Sequence, residues 1–355
     1  MSEHEDSAIQ NIEGDPMDLF IPDQVTASPH RFRAIPGLPE SVLWIAFFII
    51  LQLIWTVVLL MAVSSTGAPI GEALELDLAS LSTNGRLLVM TAPSFLAFLV
   101  LIPLAWRRLR CDGHPILTFQ RTSWQQWAIS LSLIVPLMIV ADTSFRVVES
   151  LFEQFLPAGW EATDVHGLLR DVNDASLPLS LFFIAVVPAI GEEFLFRGMI
   201  GRGLTSRWGV IPGVILTSIL FAAVHLYPPH VVAILPVGIA LHLVYLATRN
   251  FWVPVVFHLI NNSIAAVLIR QTAEESTNSA LLSGFCLFYV LIGLFWLMAG
   301  KFHGRGLDCD DSPGANDVHE GLLTSAPVSQ SATVTPIATG CAIVMLILSA
   351  AVLAR

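Results

Sequence analysis

Charge is scarce in this chain. Only 13% of its 355 residues are Asp, Glu, Lys or Arg, while 55% are hydrophobic. Soluble domains carry about a quarter charged residues, so the deficit points to a protein that lives in lipid. An extended basic stripe is also lacking. Without a Lys/Arg stripe to neutralise phosphates, nucleic-acid binding is excluded as a function class. Cysteine is sparse too: Cys111, Cys286, Cys309 and Cys341 show no Cys-x-x-Cys spacing, which argues against a disulfide framework or a thiolate metal knot. No basic segment precedes an early apolar core, so no cleavable signal peptide is expected. No His-Glu-x-x-His run and no internal repeat are present.

What is abundant is apolar runs of membrane length. They occupy residues 42–63, 87–105, 127–141, 177–197, 209–226, 231–248, 252–269, 280–299 and 337–354. A spanning helix needs about 20 apolar residues, and the expected fold is an all-α, polytopic transmembrane helix bundle of eight to nine spans. The third run is short and ends at Asp142, which leaves an earlier start or an interfacial position open. Residues 1–41 read as a disordered polar arm, 42–170 as N-terminal membrane helices and 171–270 as the chemically distinctive core. A further span follows at 271–303, then a polar linker at 304–336 and a final apolar helix at 337–355. With the N-terminus inside, eleven Lys/Arg fall on the inner side and five on the outer. The positive-inside rule therefore predicts a cytoplasmic N-terminus, in a multi-pass protein of the cell membrane.

The informative residues are polar groups at positions where lipid would make them costly. Ionisable side chains inside membrane helices cost several kcal/mol and usually face a bundle interior with a functional role. They gather in three runs: Glu192-Glu193-x-x-x-Arg197, Phe221-x-x-x-His225 and His258-x-x-x-Asn262. Glu193 and Arg197, four apart with the acid first, share a helix face and can pair. Glu192 points about 100° away. Glu192 and His225 are 33 residues apart around a turn expected at Arg207-Trp208-Gly209, so an antiparallel hairpin sets both at one height. Taken singly, each residue has a packing explanation: a helix-stabilising ion pair, a helix-end histidine, a histidine bonded to a carbonyl. Together they make a site. His242, Asp142 and Arg146 read as interior or interfacial contacts.

A carboxylate beside an imidazole can take a proton from water, and a further imidazole and amide can donate to a developing oxyanion. Glu192, His225, His258 and Asn262 supply that set. The same two histidines and one glutamate suit a zinc hydrolase site equally well, and the pattern alone leaves the metal open. No serine or cysteine stands with an in-membrane base, which counts against a covalent nucleophile.

Taken in order, the three motifs resemble the signature of the CPBP family, which includes type II CAAX prenyl endopeptidases and bacteriocin-processing or immunity proteins. The resemblance covers about residues 178–268. It implies an intramembrane endopeptidase in which Glu192 activates water with help from His225, His258 and Asn262 hold the oxyanion, and Glu193, Arg197 and Phe221 support the motif. On this reading no cofactor is required; zinc on Glu192, His225 and His258 is the alternative. The expected partners are the lipid bilayer and a peptide or membrane-anchored protein substrate. Two rivals remain: a non-catalytic scaffold or immunity-type protein, and a proton-coupled transporter, which the missing repeat disfavours.

Overall fold

The computed structural model describes residues 36–63, 81–110, 117–155, 173–271 and 279–302. The N-terminal arm up to residue 35, the linker, the ninth apolar run, Cys111, Cys309 and Cys341 lie outside the described residues. Nine helices appear among those that are described: α1 Leu38–Val63, α2 Thr83–Arg110, α3 Trp124–Ser132, α4 Ile134–Phe155, α5 Leu177–Trp208, α6 Val210–Ala223, α7 Pro228–Thr248, α8 Trp252–Gln271 and α9 Ala280–Phe302. Seven stretches are long and apolar enough to cross a bilayer, with α3 and α4 counting as one. The protein is an integral, multi-pass helical bundle.

Each of the first eight apolar runs forms helix; the third and fourth continue well past their expected ends, the fourth to Trp208, and the fifth stops short. The third does not stop at Asp142. It runs on to Phe152, because Arg146, one turn along, places its Nε 3.1 Å from the Asp142 carboxylate and offsets the charge. At its start, a capping box between Ser123 and Gln126 fixes the first turn of α3. The fifth run yields only the 14 residues of α6, about 21 Å at 1.5 Å per residue and too short to span alone. The expected turn before it is present, with Gly209 at φ 83°, a conformation glycine adopts without steric cost.

The α5–α6 hairpin is tight. A side chain at Gly213 would meet the Thr205 backbone at 2.5 Å, the close helix approach that small residues permit in membranes. Polar contacts tie the bundle at both ends. At the basic end, Arg108 pairs with Glu40 at 3.1 Å, and an isolated bridge joins Phe119 to Asn250. At the other end, Arg270 donates to the Ala175 carbonyl and to the Ser180 hydroxyl. α1 is peripheral, with only Ser41, Ile45 and Phe48 buried. By contrast α7 is central, packed against α4, α6, α8 and α9. Cys286 is a buried free thiol in α9, in keeping with a packing role.

Candidate active site

The site forms where α5, α6, α7 and α8 meet. α5 does not wind uniformly: Leu181–Val186 and Glu193–Gly201 are π-helical, separated by an ordinary α segment at Val187–Glu192. Such wide turns are rare and recur at functional sites. The second begins at the acid pair itself.

Glu193 is fully buried. Its Oε1 accepts hydrogen bonds from Arg197 Nη1 at 2.8 Å and from His258 Nδ1 at 2.9 Å. Arg197, equally buried, also donates from Nη2 to the Gly238 carbonyl of α7 at 3.1 Å. Its guanidinium carbon stands 4.4 Å from the centre of the Phe221 ring. A buried charge is tolerable only when paired and hydrogen-bonded; these contacts supply the pairing, while Glu193 Oε2 and Arg197 Nε are buried without a hydrogen-bond partner. The pairing expected from the four-residue spacing is present, although the turn joining the two residues is not an α turn.

His258 is 4% exposed. A carboxylate only accepts, so the Glu193 contact makes Nδ1 the protonated nitrogen and leaves Nε2 as the free face of the ring. That face stands 3.9 Å from Glu192 Oε2, too far for a direct hydrogen bond and at a separation one water can bridge. Glu192 is 14% exposed, so it is the one of the two acids with access to solvent or substrate.

His225 sits at the end of α6, its Nδ1 3.2 Å from the Phe221 carbonyl. Phe221 is the hub: its ring meets His225, His258 and Phe196 edge-on at centroid separations of 5.7, 6.1 and 5.1 Å. The imidazole recorded against Glu192 is thus that of His258, from α8. His225, which the hairpin arithmetic set opposite Glu192, joins the group through Phe221.

Asn262, one turn beyond His258, donates from Nδ2 to the Ile184 carbonyl at 3.0 Å, and its Oδ1 accepts from Asn261 at 3.1 Å. An amide nitrogen carries two hydrogens, so one remains available. His230 was not singled out by its sequence context. Its ring centroid lies 5.3 Å from that of His225, across a turn in which Leu226 adopts φ 60°; the only signal was a second histidine five residues on, past Pro228-Pro229.

A zinc site needs three ligands converging at about 2.0–2.2 Å with a fourth position open. Here His258 Nδ1 is held by Glu193 and His225 Nδ1 by the Phe221 carbonyl, which leaves Nε2 open on each ring, as in histidines that ligate metals. Among the described residues no group of three or more His, Cys, Asp or Glu side chains is placed to hold a metal ion.

Comparison with known proteins bears on the same segment. Residues 174–264 match the family model described as Type II CAAX prenyl endopeptidase Rce1-like. A protein of Bacillus subtilis named as a candidate membrane peptidase, YdiL, is 25% identical over 196 residues, covering 54% of this chain and 78% of the relative. No solved structure matches. The matched segment contains all three motifs, and its ends fall at the start of α5 and within α8. Residues 174–264 of this membrane protein are therefore similar to the Rce1-like domain of type II CAAX prenyl endopeptidases.

Proposed function

We propose that the protein is an intramembrane endopeptidase that hydrolyses a peptide bond with water activated by Glu192. The observation that carries the reading is the pair of a part-exposed carboxylate and a fixed imidazole: Glu192 Oε2 facing His258 Nε2 at 3.9 Å, with His258 locked by a buried Glu193.

In this mechanism water sits between Glu192 and His258 Nε2. Glu192 takes one proton from it as the oxygen attacks the carbonyl carbon, and the C–O bond forms. The oxyanion that results is held by the spare N–H of Asn262. Glu192 then returns the proton to the amide nitrogen, the C–N bond breaks, and an amine and a carboxylic acid leave. Glu193 and Arg197 touch no substrate; they keep His258 in one tautomer and orientation, the part that partners of ligating or catalytic histidines commonly play. The reaction needs no metal. The basic end of the bundle faces the cytoplasm, in keeping with the Lys/Arg asymmetry.

The family description suggests the first substrate to try: a fluorescence-quenched peptide ending in a prenylated Cys-aliphatic-aliphatic-X sequence. Purified wild-type protein in nanodiscs should release the terminal tripeptide, and Glu192→Ala, inserted and folded, should not. Equal cleavage by both would end the reading.

A further inference from the structure

Behind the site, α7 touches the wide turn of α5 at two points. Gly238 accepts from Arg197, and one turn on, His242 packs against Gly201. The contacts are four residues apart on both helices, so they form a two-point clamp over the π-helical stretch Glu193–Gly201. The second contact is unusually close. A Cβ at Gly201 would lie 2.3 Å from His242 Cε1 and 2.7 Å from the Phe196 carbonyl. Phe196 is five residues earlier, the partner that a π turn brings to residue 201. Ordinary α winding resumes at Arg202.

His242 is 1% exposed and its Nδ1 has no hydrogen-bond partner. An unsatisfied buried nitrogen is a cost, not a gain, so polarity does not account for the residue; the shape of its ring does. We propose that His242 is a positioning residue whose ring, set against Gly201, holds the wide turn in the register that aims Glu193 at His258. If the turn relaxed to α winding by one residue, Glu193 would swing about 100° relative to the rest of the helix. Both clamp contacts would break, and His258 would lose its carboxylate.

The consequence for rate rests on the protease reading above; the geometric consequence does not. The test uses full-length protein in nanodiscs with ¹⁵N-labelled histidine. The proton of His258 Nδ1–H, hydrogen-bonded to Glu193, is assigned by its loss in His258→Asn. It should disappear in His242→Ala and Gly201→Ala and persist in His242→Leu, which fills the space without a ring nitrogen. On the quenched prenyl peptide, kcat for His242→Ala should fall on the order of 10²-fold, the scale of an ångström-level misplacement, with KM little changed and His242→Leu close to wild type. An unchanged His258 resonance in His242→Ala, or equal damage from Leu and Ala, would overturn the proposal. If Gly201→Ala fails to insert, the Ala and Leu variants of His242 still decide. A shifted resonance in a protein that cleaves nothing would support the clamp and count against the protease reading.

Discussion

Replacing Arg197 with methionine keeps most of the side-chain volume and removes the charge. Glu193 would then lie fully buried with only His258 against it, and the Gly238 carbonyl and the face of Phe221 would lose their cation. Breaking a buried pair from one side costs about 3–5 kcal/mol, because the remaining charge is uncompensated. Replacing both partners with neutral groups of similar volume is often close to neutral. Arg197→Met should therefore lose about 3 kcal/mol or more, whereas Glu193→Gln/Arg197→Met should recover most of it. Activity should not follow stability. The double variant leaves His258 Nδ1 without a carboxylate, so it should stay folded and cleave poorly. Reversible denaturant unfolding in mixed micelles reads the first quantity, and turnover of the prenyl peptide reads the second. If Arg197→Met unfolds at the wild-type midpoint, the pair does not carry the burial assigned to it. A double variant with wild-type turnover would refute the orienting role of Glu193.

Other perturbations probe separate parts of the account. Asn262→Ala should lower kcat by about 10²–10³, the usual loss of one oxyanion donor, with KM nearly constant; an effect confined to KM would move Asn262 to substrate binding. Dialysis against a chelator should leave turnover intact, and loss followed by recovery with added zinc would contradict the water-only mechanism. Gly213→Val should destabilise the α5–α6 hairpin by about 1–3 kcal/mol through overpacking, seen as a lower thermal midpoint; a tolerated valine would mean the helices can separate there. Asp142→Asn, at a pair more than a third exposed, should shift stability by less than about 1 kcal/mol in the same unfolding assay.

Much of this architecture was legible in the amino-acid order because the bilayer imposes length and polarity on each segment. Runs such as 42–63 and 280–299 read directly as helices, and the three motifs stood out because Glu, His and Arg are costly in lipid. Spacing also foretold the Glu193–Arg197 pair. What it could not show was the winding of α5. Residue arithmetic assumes 3.6 residues per turn, and the widened turns at Leu181–Val186 and Glu193–Gly201 depend on contacts from α7 and α8 that lie far away in the chain. The end of α6 at Ala223 was only partly visible: Val224 and Leu226 are apolar and extend the run, although Pro228-Pro229 marks a break soon after. Asp142 misled in the opposite sense, since a charge that looked like a boundary is offset by Arg146. His242 offered no signal beyond being a histidine in an apolar run.

The central claim is that the Glu192 carboxylate, facing His258, activates the water that cleaves the substrate. Single-turnover cleavage of the prenyl peptide by wild type and by Glu192→Gln, which keeps the shape of the side chain and removes its basicity, tests it most directly. The account predicts a loss of at least about a hundredfold in the chemical step, within the range for a positioned general base, with the variant folded and still binding the peptide. Cleavage by Glu192→Gln at the wild-type rate would contradict it.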